Sequence, residues 1–276
     1  MKNKEISPFL KWPGGKQWFV KQYVNILPSN FKNYYEPFLG GGAVFFSLQP
    51  KRAVLSDTNK DLINLYIFMR NNPEDLKELM KYHQEQHCKQ YYYDIREHES
   101  LMDLESAGRF LYLNRTCFNG MYRVNRQGKF NVPIGSKNNC IYDIDHFNEY
   151  SSLLKRAKIV EGDFMNIITR SGKEDLIFAD PPYTVQKKQH GFIKYNDQLF
   201  TWNDQLRLYE GLSEAKKRGV KVVLTNVDCI EIYDMYKSSG FFIKTLERNS
   251  SMASKVSKRG TVKELLITSY DINENK

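Results

Sequence analysis

Residues 176–186 read LIFADPPYTVQ: an apolar run stops at a carboxylate, and two consecutive prolines and a tyrosine follow. Proline fixes φ and donates no backbone hydrogen bond, so Asp180-Pro181-Pro182-Tyr183 ends a strand and holds its residues stiffly. The Asp180 side chain and the adjacent, proline-fixed carbonyl of Pro181 are then two acceptors in rigid geometry. Aimed at the two N–H bonds of a planar amino group, such a pair favours pyramidal nitrogen and localises its lone pair toward an electrophile. The exocyclic amino group of a nucleobase has this need. The Tyr183 ring could stack on the base, which must leave its duplex to be reached. The plain structural alternative is a strand-ending turn with a buried tyrosine.

A second constellation is the run Phe38-Leu39-Gly40-Gly41-Gly42, which follows an apolar-aromatic strand and opens a helix. Glycines in that context let backbone approach a ligand, and Asp57 closes the next strand where the ribose-binding acid of a nucleotide fold sits. Together they point to an adenosine-containing cofactor; a tight turn with a helix-capping Asp is the bland reading. The spacing is not GxGxxG, which argues against a dinucleotide. Pro13-Gly14-Gly15-Lys16 fails as a phosphate loop because its glycine spacing is wrong and Gln17 replaces the metal-binding hydroxyl. Lys16 could still pair with a ligand carboxylate, and Trp12 could cover an apolar ligand face. His83 and His87 in HQEQHC imitate a zinc-protease helix, but Glu85 is one position away from where HExxH requires it. They are expected to be two exposed helical histidines, and no metal is expected.

The chain of 276 residues carries a formal charge of +9, unevenly spread. No acidic residue occurs from Ser106 to Tyr142, where Arg109, Arg115, Arg123, Arg126, Lys129 and Lys137 fall, nor from Arg248 to Lys263, with Lys255, Lys258 and Arg259. One-signed stretches suggest a polyanionic partner, against the alternative of a solvated charge cluster. Hydrophobic content of 41% is ordinary for a globular protein, and no window approaches the apolar length of a membrane span. The N-terminal MKNKEISPFLKW lacks a signal-peptide apolar segment. Cys88, Cys117, Cys140 and Cys229 are scattered, as expected of reduced thiols in a cytoplasmic protein.

The elements that must position these groups alternate. Strand signals fall at Tyr34–Phe38, Arg52–Asp57, Lys158–Glu161, Asp175–Ala179, Val220–Thr225 and Glu264–Tyr270. Helical periodicity covers Lys60 to Met69, 74–87, 100–114 and Asp204–Lys217. Between 115 and 138 the composition shifts to Asn, Gly and Arg, and Asn125-Arg126-Gln127-Gly128-Lys129 reads as a hairpin turn. A βαβ alternation interrupted by a mostly helical basic stretch implies an open α/β sheet with an inserted domain.

The ordered set FLKWPGGK (9–16), EPFLGGG (36–42), Ser56-Asp57 with Asn64, FNGMYRVN (118–125) with FNVP (130–133), Gly162-Asp163-Phe164 and Asp180-Pro181-Pro182-Tyr183 resembles the Dam-type DNA adenine methyltransferases. The match is closest to the DpnM-like enzymes of restriction–modification systems and runs collinearly from about residue 8 to Tyr270. The resemblance implies a Rossmann-like S-adenosylmethionine-dependent methyltransferase sheet, with residues 1–58 and 156–276 as the catalytic domain. Residues 59–155 would be the inserted target-recognition domain, helical with a β-hairpin that enters the major groove.

It also implies roles. S-adenosylmethionine, leaving as S-adenosylhomocysteine, would lie near Trp12 and Lys16, over Phe38 and Gly40, with Asp57 on the ribose and Asp163 and Phe164 lining the adenine pocket. Asp180, also beside the cofactor, and the Pro181 carbonyl would bind the target amino group, with Tyr183 stacked on the flipped adenine. Phe118 would wedge into the base stack, followed by Asn119, and Arg123 would read a guanine. Met121 and Pro133 would be its apolar neighbours, Lys11 would touch the first base, and Arg126 belongs to the same DNA-binding hairpin. The expected activity is methylation of adenine in duplex DNA, with GATC the leading site. The chain would act as a cytoplasmic monomer of bacterial or phage origin, possible companion of a restriction endonuclease, with no membrane partner. The rivals are methylation of an amine or amide in RNA or a protein glutamine, where Asn is typical in place of Asp180, and a DNA-binding relative that has lost catalysis.

Overall fold

The computed structural model describes residues 6–99, 101–125, 127–141, 146–184, 200–249 and 261–273. Its strands are β1 (Tyr34–Glu36), β2 (Ala53–Asp57), β3 (Ala157–Glu161), β4 (Leu176–Ala179), β5 (Lys221–Val227), β6 (Phe242–Asn249) and β7 (Thr261–Thr268). They form one seven-stranded sheet in the order β3-β2-β1-β4-β5-β7-β6. Pairs β2–β3, β1–β4 and β4–β5 are parallel, whereas β5–β7 and β6–β7 are antiparallel. The open α/β sheet expected from the alternation is therefore present, and the structure adds that it is mixed. The sequence order reverses between β1 and β4, the kind of switch point at whose carboxyl ends ligands bind in open α/β sheets. The chain leaving β1 enters the glycine turn, and the chain leaving β4 enters Asp180.

By compactness the chain divides into Met1–Gln17 with Leu39–Gly162, and Trp18–Phe38 with Asp163–Lys276. In the second unit, β4 is buried at every position and β5 at all but its ends, the continuous apolar pattern of strands covered on both faces. Phe19 from the helix Gln17–Tyr23 packs its ring 5.5 Å from that of Phe178 on β4. The helix Trp202–Lys217 starts on a capping box between Thr201 and Asp204, which satisfies amide donors otherwise left unpaired at a helix start. β7 runs against both its neighbours, and the edge beyond it is β6, for which the sequence pattern gave no strand signal. Its FIKTLERN alternates apolar and polar residues only loosely, and pairing with β7 decides its conformation.

In the first unit, the helices Lys60–Asn71 and Leu104–Thr116 begin at Asn59 and Asp103, whose side chains accept from the amides of Leu62 and Ser106. Phe9, Phe46, Tyr66 and Tyr150 form an aromatic centre with ring centroids 5.0–6.5 Å apart. Two helices, Lys89–Glu97 and His146–Leu154, were not anticipated; the first is rich in tyrosine, which is only middling in helices and is enriched in strands.

The histidine pair departs from expectation. His83 is only 4% exposed, with Nδ1 2.7 Å from the Tyr91 hydroxyl and its ring stacked on Tyr112 at 4.9 Å. His87 caps the end of Pro73–Gln86 and meets the Tyr112 hydroxyl at 2.7 Å. The pair is part of an aromatic core and not an exposed helical face. Burial pushes the His83 imidazole down to about 4, because a charged ring would be desolvated there. The folded state thus binds fewer protons than the unfolded chain between about pH 4 and 6.5. Stability from this site is complete above the unfolded value and is lost as pH falls toward the folded one. We expect wild type to lose up to about 3 kcal/mol more than His83→Phe between pH 6.5 and 4. Urea unfolding at a series of pH values checks this; parallel profiles for the two proteins would contradict it.

Candidate active site and nucleic-acid interface

In the unit containing the glycine turn, the Gly40 amide donates to Asp57 Oδ2 at 3.0 Å, and the Asn59 amide donates to Oδ1 at 3.0 Å. The Leu39 amide donates to the Ser56 carbonyl, and the buried Tyr66 hydroxyl donates to the Gly40 carbonyl at 3.1 Å. The turn is thereby tied to the end of β2. Gly40 adopts φ +47°, and a Cβ there would lie 2.6 Å from Trp12 Cδ1. Only glycine lets the backbone and the indole approach so closely. The Trp12 ring is stacked on Tyr122 (5.1 Å, 20°) and lies near Phe110 (6.2 Å, 26°). Lys16 is 4% exposed and its ammonium donates to the Gly14 carbonyl at 3.2 Å. Burial raises the Asp57 carboxyl above its ordinary value, against the lowering by the amides of Asn59, Gly40 and Thr58. Trp12, Gly40 and Asp57 are thus gathered around one turn, whereas Lys16 is held at the Gly14 carbonyl.

The same unit holds the residues expected to meet DNA. Phe118-Asn119-Gly120 form a single tight turn in which Asn119 has φ +57°, a conformation asparagine tolerates better than most residues. The turn leaves Phe118 49% exposed, an unusual fate for a phenylalanine. The Phe118 amide donates to the Pro133 carbonyl at 2.9 Å, so the two ends of the hairpin meet there. A Cβ at Gly120 would lie 2.5 Å from Lys11 Cδ, so this glycine makes room for the lysine. Buried Asn114 fixes the Lys11 backbone from both sides, accepting from its amide (3.0 Å) and donating to its carbonyl (2.7 Å). Partial burial lowers the Lys11 ammonium, and neighbouring Lys137 lowers it further. The structure therefore brings Lys11, Phe118, Asn119 and Pro133 together, with Met121 on the outgoing arm.

That arm pairs as the sequence suggests. Val124 and Phe130 form an antiparallel bridge, and the Asn125 side chain accepts from the amides of Gln127 and Lys129 across the turn. Exposed Arg123 donates from Nε to Asn131 Oδ1 at 2.8 Å, which fixes the plane of its guanidinium. Arg126 lies outside the described residues, as do Lys187, Lys188 and Lys194 and, in the second basic run, Lys255, Lys258 and Arg259. Not every cation of the acid-free stretch serves a partner. Arg115 is 4% exposed and donates to the carbonyls of Cys140 and Phe9, and Arg109 donates to those of Ile95 and Arg96. Their charges are spent on closing the fold, which a count of basic residues does not reveal.

In the other unit, Asp180 follows β4 and accepts from the buried Thr225 hydroxyl of β5 at 2.7 Å. Pro181 is buried, and the Tyr183 hydroxyl donates to Glu264 Oε2 of β7 at 2.5 Å. Thr184 donates its hydroxyl to the Phe200 carbonyl, tying those two residues together. Phe38, Phe164 and Phe200 form a triangle of rings 5.3–5.7 Å apart. Asp163 Oδ1 accepts from the Met165 amide (2.9 Å) and from Arg207 Nη2 (3.0 Å), and the Arg207 guanidinium lies 4.9 Å over the Phe164 ring. Asp204 and then Asp163 hold the Arg207 guanidinium above its ordinary value. Sequence reasoning missed Thr225, Glu264, Phe200 and Arg207. Of these only Glu264, a carboxylate in the apolar run of VKELLIT, carried a signal.

The model of the D12 class N6 adenine-specific DNA methyltransferases matches residues 12–252, a span that contains the glycine turn, the hairpin and Asp180–Tyr183. The chain belongs to this family. It is 36% identical to the type II methyltransferase M1.LlaDCHI of Lactococcus lactis, over 98% of each chain. It is 36% identical to the type II methyltransferase M.MjaIII of Methanocaldococcus jannaschii, over 96% of this chain and 100% of that one. It is 31% identical to the DNA adenine methylase of Vibrio cholerae, over 92% and 94%. The chain is an enzyme of adenine-specific DNA methylation.

The glycine turn gives a test that needs no ligand. Gly40→Ala combines a positive φ with a 2.6 Å approach to the indole, whereas at Gly41 the nearest side-chain atom would be 3.4 Å away. Gly40→Ala is expected to cost about 1–3 kcal/mol in urea unfolding, and Gly41→Ala clearly less. Equal costs would mean that the indole does not pack on the turn.

Proposed function

We propose that this enzyme transfers the methyl group of S-adenosylmethionine to the exocyclic amino nitrogen of an adenine flipped out of duplex DNA, with GATC as its site. Asp180 carries the reading: an acid at the carboxyl end of a buried parallel strand, held by Thr225 and followed by two prolines and an aromatic ring. The donor supplies an electrophilic methyl on sulfur, and displacement at that carbon needs no covalent enzyme intermediate. What the protein must do is bind, orient and desolvate.

The residues present fit such a donor. Gly40, lacking a Cβ, holds the backbone of the turn directly against the Trp12 indole. The Asp57 carboxylate takes one amide on each oxygen, and a carboxylate has further acceptor positions for ribose hydroxyls. We assign Trp12 and Lys16 to the amino-acid end of the donor, Phe38 and Gly40 beneath it, and Asp163 and Phe164 to its adenine. In this reading Asp180 and the Pro181 carbonyl accept the two N–H bonds of the target amine. They draw its lone pair out of the ring as the new N–C bond forms, and Asp180 is positioned to take the proton that leaves. Tyr183 stacks on the base.

Target choice is assigned to residues 59–155, with Phe118 filling the stack, Asn119, Met121 and Pro133 beside it, and Lys11 and Arg126 on the duplex. Arg123, its plane set by Asn131, is assigned to a guanine edge. A monomer in the cytoplasm of a bacterial or phage-infected cell is the simplest form, with a companion restriction endonuclease as the setting the type II relatives suggest.

Labelled-methyl transfer to a duplex with a single GATC tests the reading. We expect Asp180→Ala to abolish transfer while duplex binding in a mobility-shift assay stays within a few-fold of wild type. Arg123→Ala should retain transfer but lose about 1–3 kcal/mol of discrimination at one base pair, measured as the kcat/KM ratio between GATC and single-substitution sites. Unchanged discrimination would remove the hairpin from target choice, and methylation of RNA or protein but not of any DNA duplex would overturn the reading.

A further inference from the structure

Two of the residues missed in the sequence lie on the strands next to the catalytic segment. Thr225 on β5 is opposite Leu266 of β7, and Val227 is opposite Glu264. Directly opposed residues of an antiparallel pair share a face, and so do residues two apart along one strand. Thr225 and Glu264 therefore project from the same face as diagonal neighbours. Asn226, between them in register, projects to the other face and donates to Gln205 of the helix Trp202–Lys217. Both same-face side chains end on the Asp180–Tyr183 segment: Thr225 on Asp180, Glu264 on Tyr183.

Glu264 is fully buried, a costly location for a carboxylate unless donors compensate it. At 2.5 Å, its contact with the Tyr183 hydroxyl has the length of a charge-assisted bond. Tyr183 is half-buried, and the far end of its side chain is anchored. A tyrosine has only two side-chain torsions between backbone and ring. With the backbone limited by Pro181 and Pro182, a tether at the hydroxyl removes most of the ring's remaining swing. A stacking platform aligned before the base arrives costs nothing to align at the moment of reaction.

We propose that Glu264 is a positioning residue for methyl transfer: it holds the Tyr183 ring in the orientation that receives the flipped base, acting through the phenol and touching neither base nor donor. This rests on the reading of Tyr183 as the stacking residue. The test is a double-mutant cycle in single-turnover methyl transfer to a GATC duplex, using wild type, Tyr183→Phe, Glu264→Gln, Glu264→Ala and the two combinations with Tyr183→Phe. Urea unfolding and 2-aminopurine fluorescence at the target base run alongside. Phenylalanine can still stack but cannot reach the carboxylate. Tyr183→Phe and Glu264→Ala are each expected to slow the chemical step ten-fold or more, with KM for S-adenosylmethionine unchanged. The Tyr183→Phe/Glu264→Ala protein should be no slower than the worse single variant. Glu264→Gln keeps the acceptor and the volume, and should recover most of the rate lost in Glu264→Ala. The 2-aminopurine signal should report a less stacked base in both slow single variants.

If the two losses multiply to a hundred-fold, or if Glu264→Gln is as slow as Glu264→Ala, Glu264 does not act through Tyr183 and the proposal is overturned while the enzyme's assignment stands. Should Glu264→Ala fail to fold, Glu264→Met, similar in volume but without a carboxylate acceptor, takes its place in the cycle, and losses that multiply with those of Tyr183→Phe overturn the proposal. Absence of transfer by wild type to any duplex would instead overturn the functional reading, and this inference with it.

Discussion

Pro181 and Pro182 carry no amide hydrogen, so the chain leaving β4 cannot be held by the hydrogen-bond ladder that organises the rest of the sheet. Everything proposed for the catalytic segment depends on how this gap is bridged. The bridge consists of side chains from the neighbouring strands: a threonine hydroxyl to Asp180 and a buried carboxylate to Tyr183. Prolines supply backbone stiffness, and β5 and β7 supply orientation. A rigid acceptor pair with an aromatic ring follows from these constraints.

A related economy operates at the glycine turn. Asp57 is placed by β2 and spends part of its carboxylate on the Gly40 amide, so one residue both shapes the turn and faces the position proposed for the ribose. Trp12 packs on the same glycine and on Tyr122, which belongs to the hairpin region. Within this unit, Trp12, proposed to hold the donor, thus stacks on a ring of the hairpin region proposed to read DNA. In the hairpin, the exposed Phe118 is held out by a turn whose left-handed residue is asparagine and whose glycine is filled by Lys11.

Much of this was legible in the residues, for identifiable reasons. Strand ends at Asp57 and Asp180 announce themselves because an apolar run stops at an acid, and the hairpin turn does so because Asn125 and Gly128 have strong local preferences. β6 was not legible, because an edge strand takes its conformation from its partner. His83 was misread as exposed because its partners, Tyr91 and Tyr112, are brought to it by tertiary packing. Arg109 and Arg115 looked like part of a polyanion-binding surface, yet they cap backbone carbonyls inside the fold, a use that charge counting cannot distinguish. Thr225 and Glu264 escaped notice because each lies in an otherwise ordinary strand, and only the register of β5 against β7 aims them at one segment.

The central claim is that this chain methylates the amino nitrogen of adenine, and the nature of the product tests it most directly. A GATC duplex incubated with the purified protein and isotopically labelled S-adenosylmethionine, then digested to nucleosides and separated by mass spectrometry, should show the label in N6-methyldeoxyadenosine alone. Label on a cytosine or a ring nitrogen, or no labelled nucleoside from any duplex tried, would contradict the account.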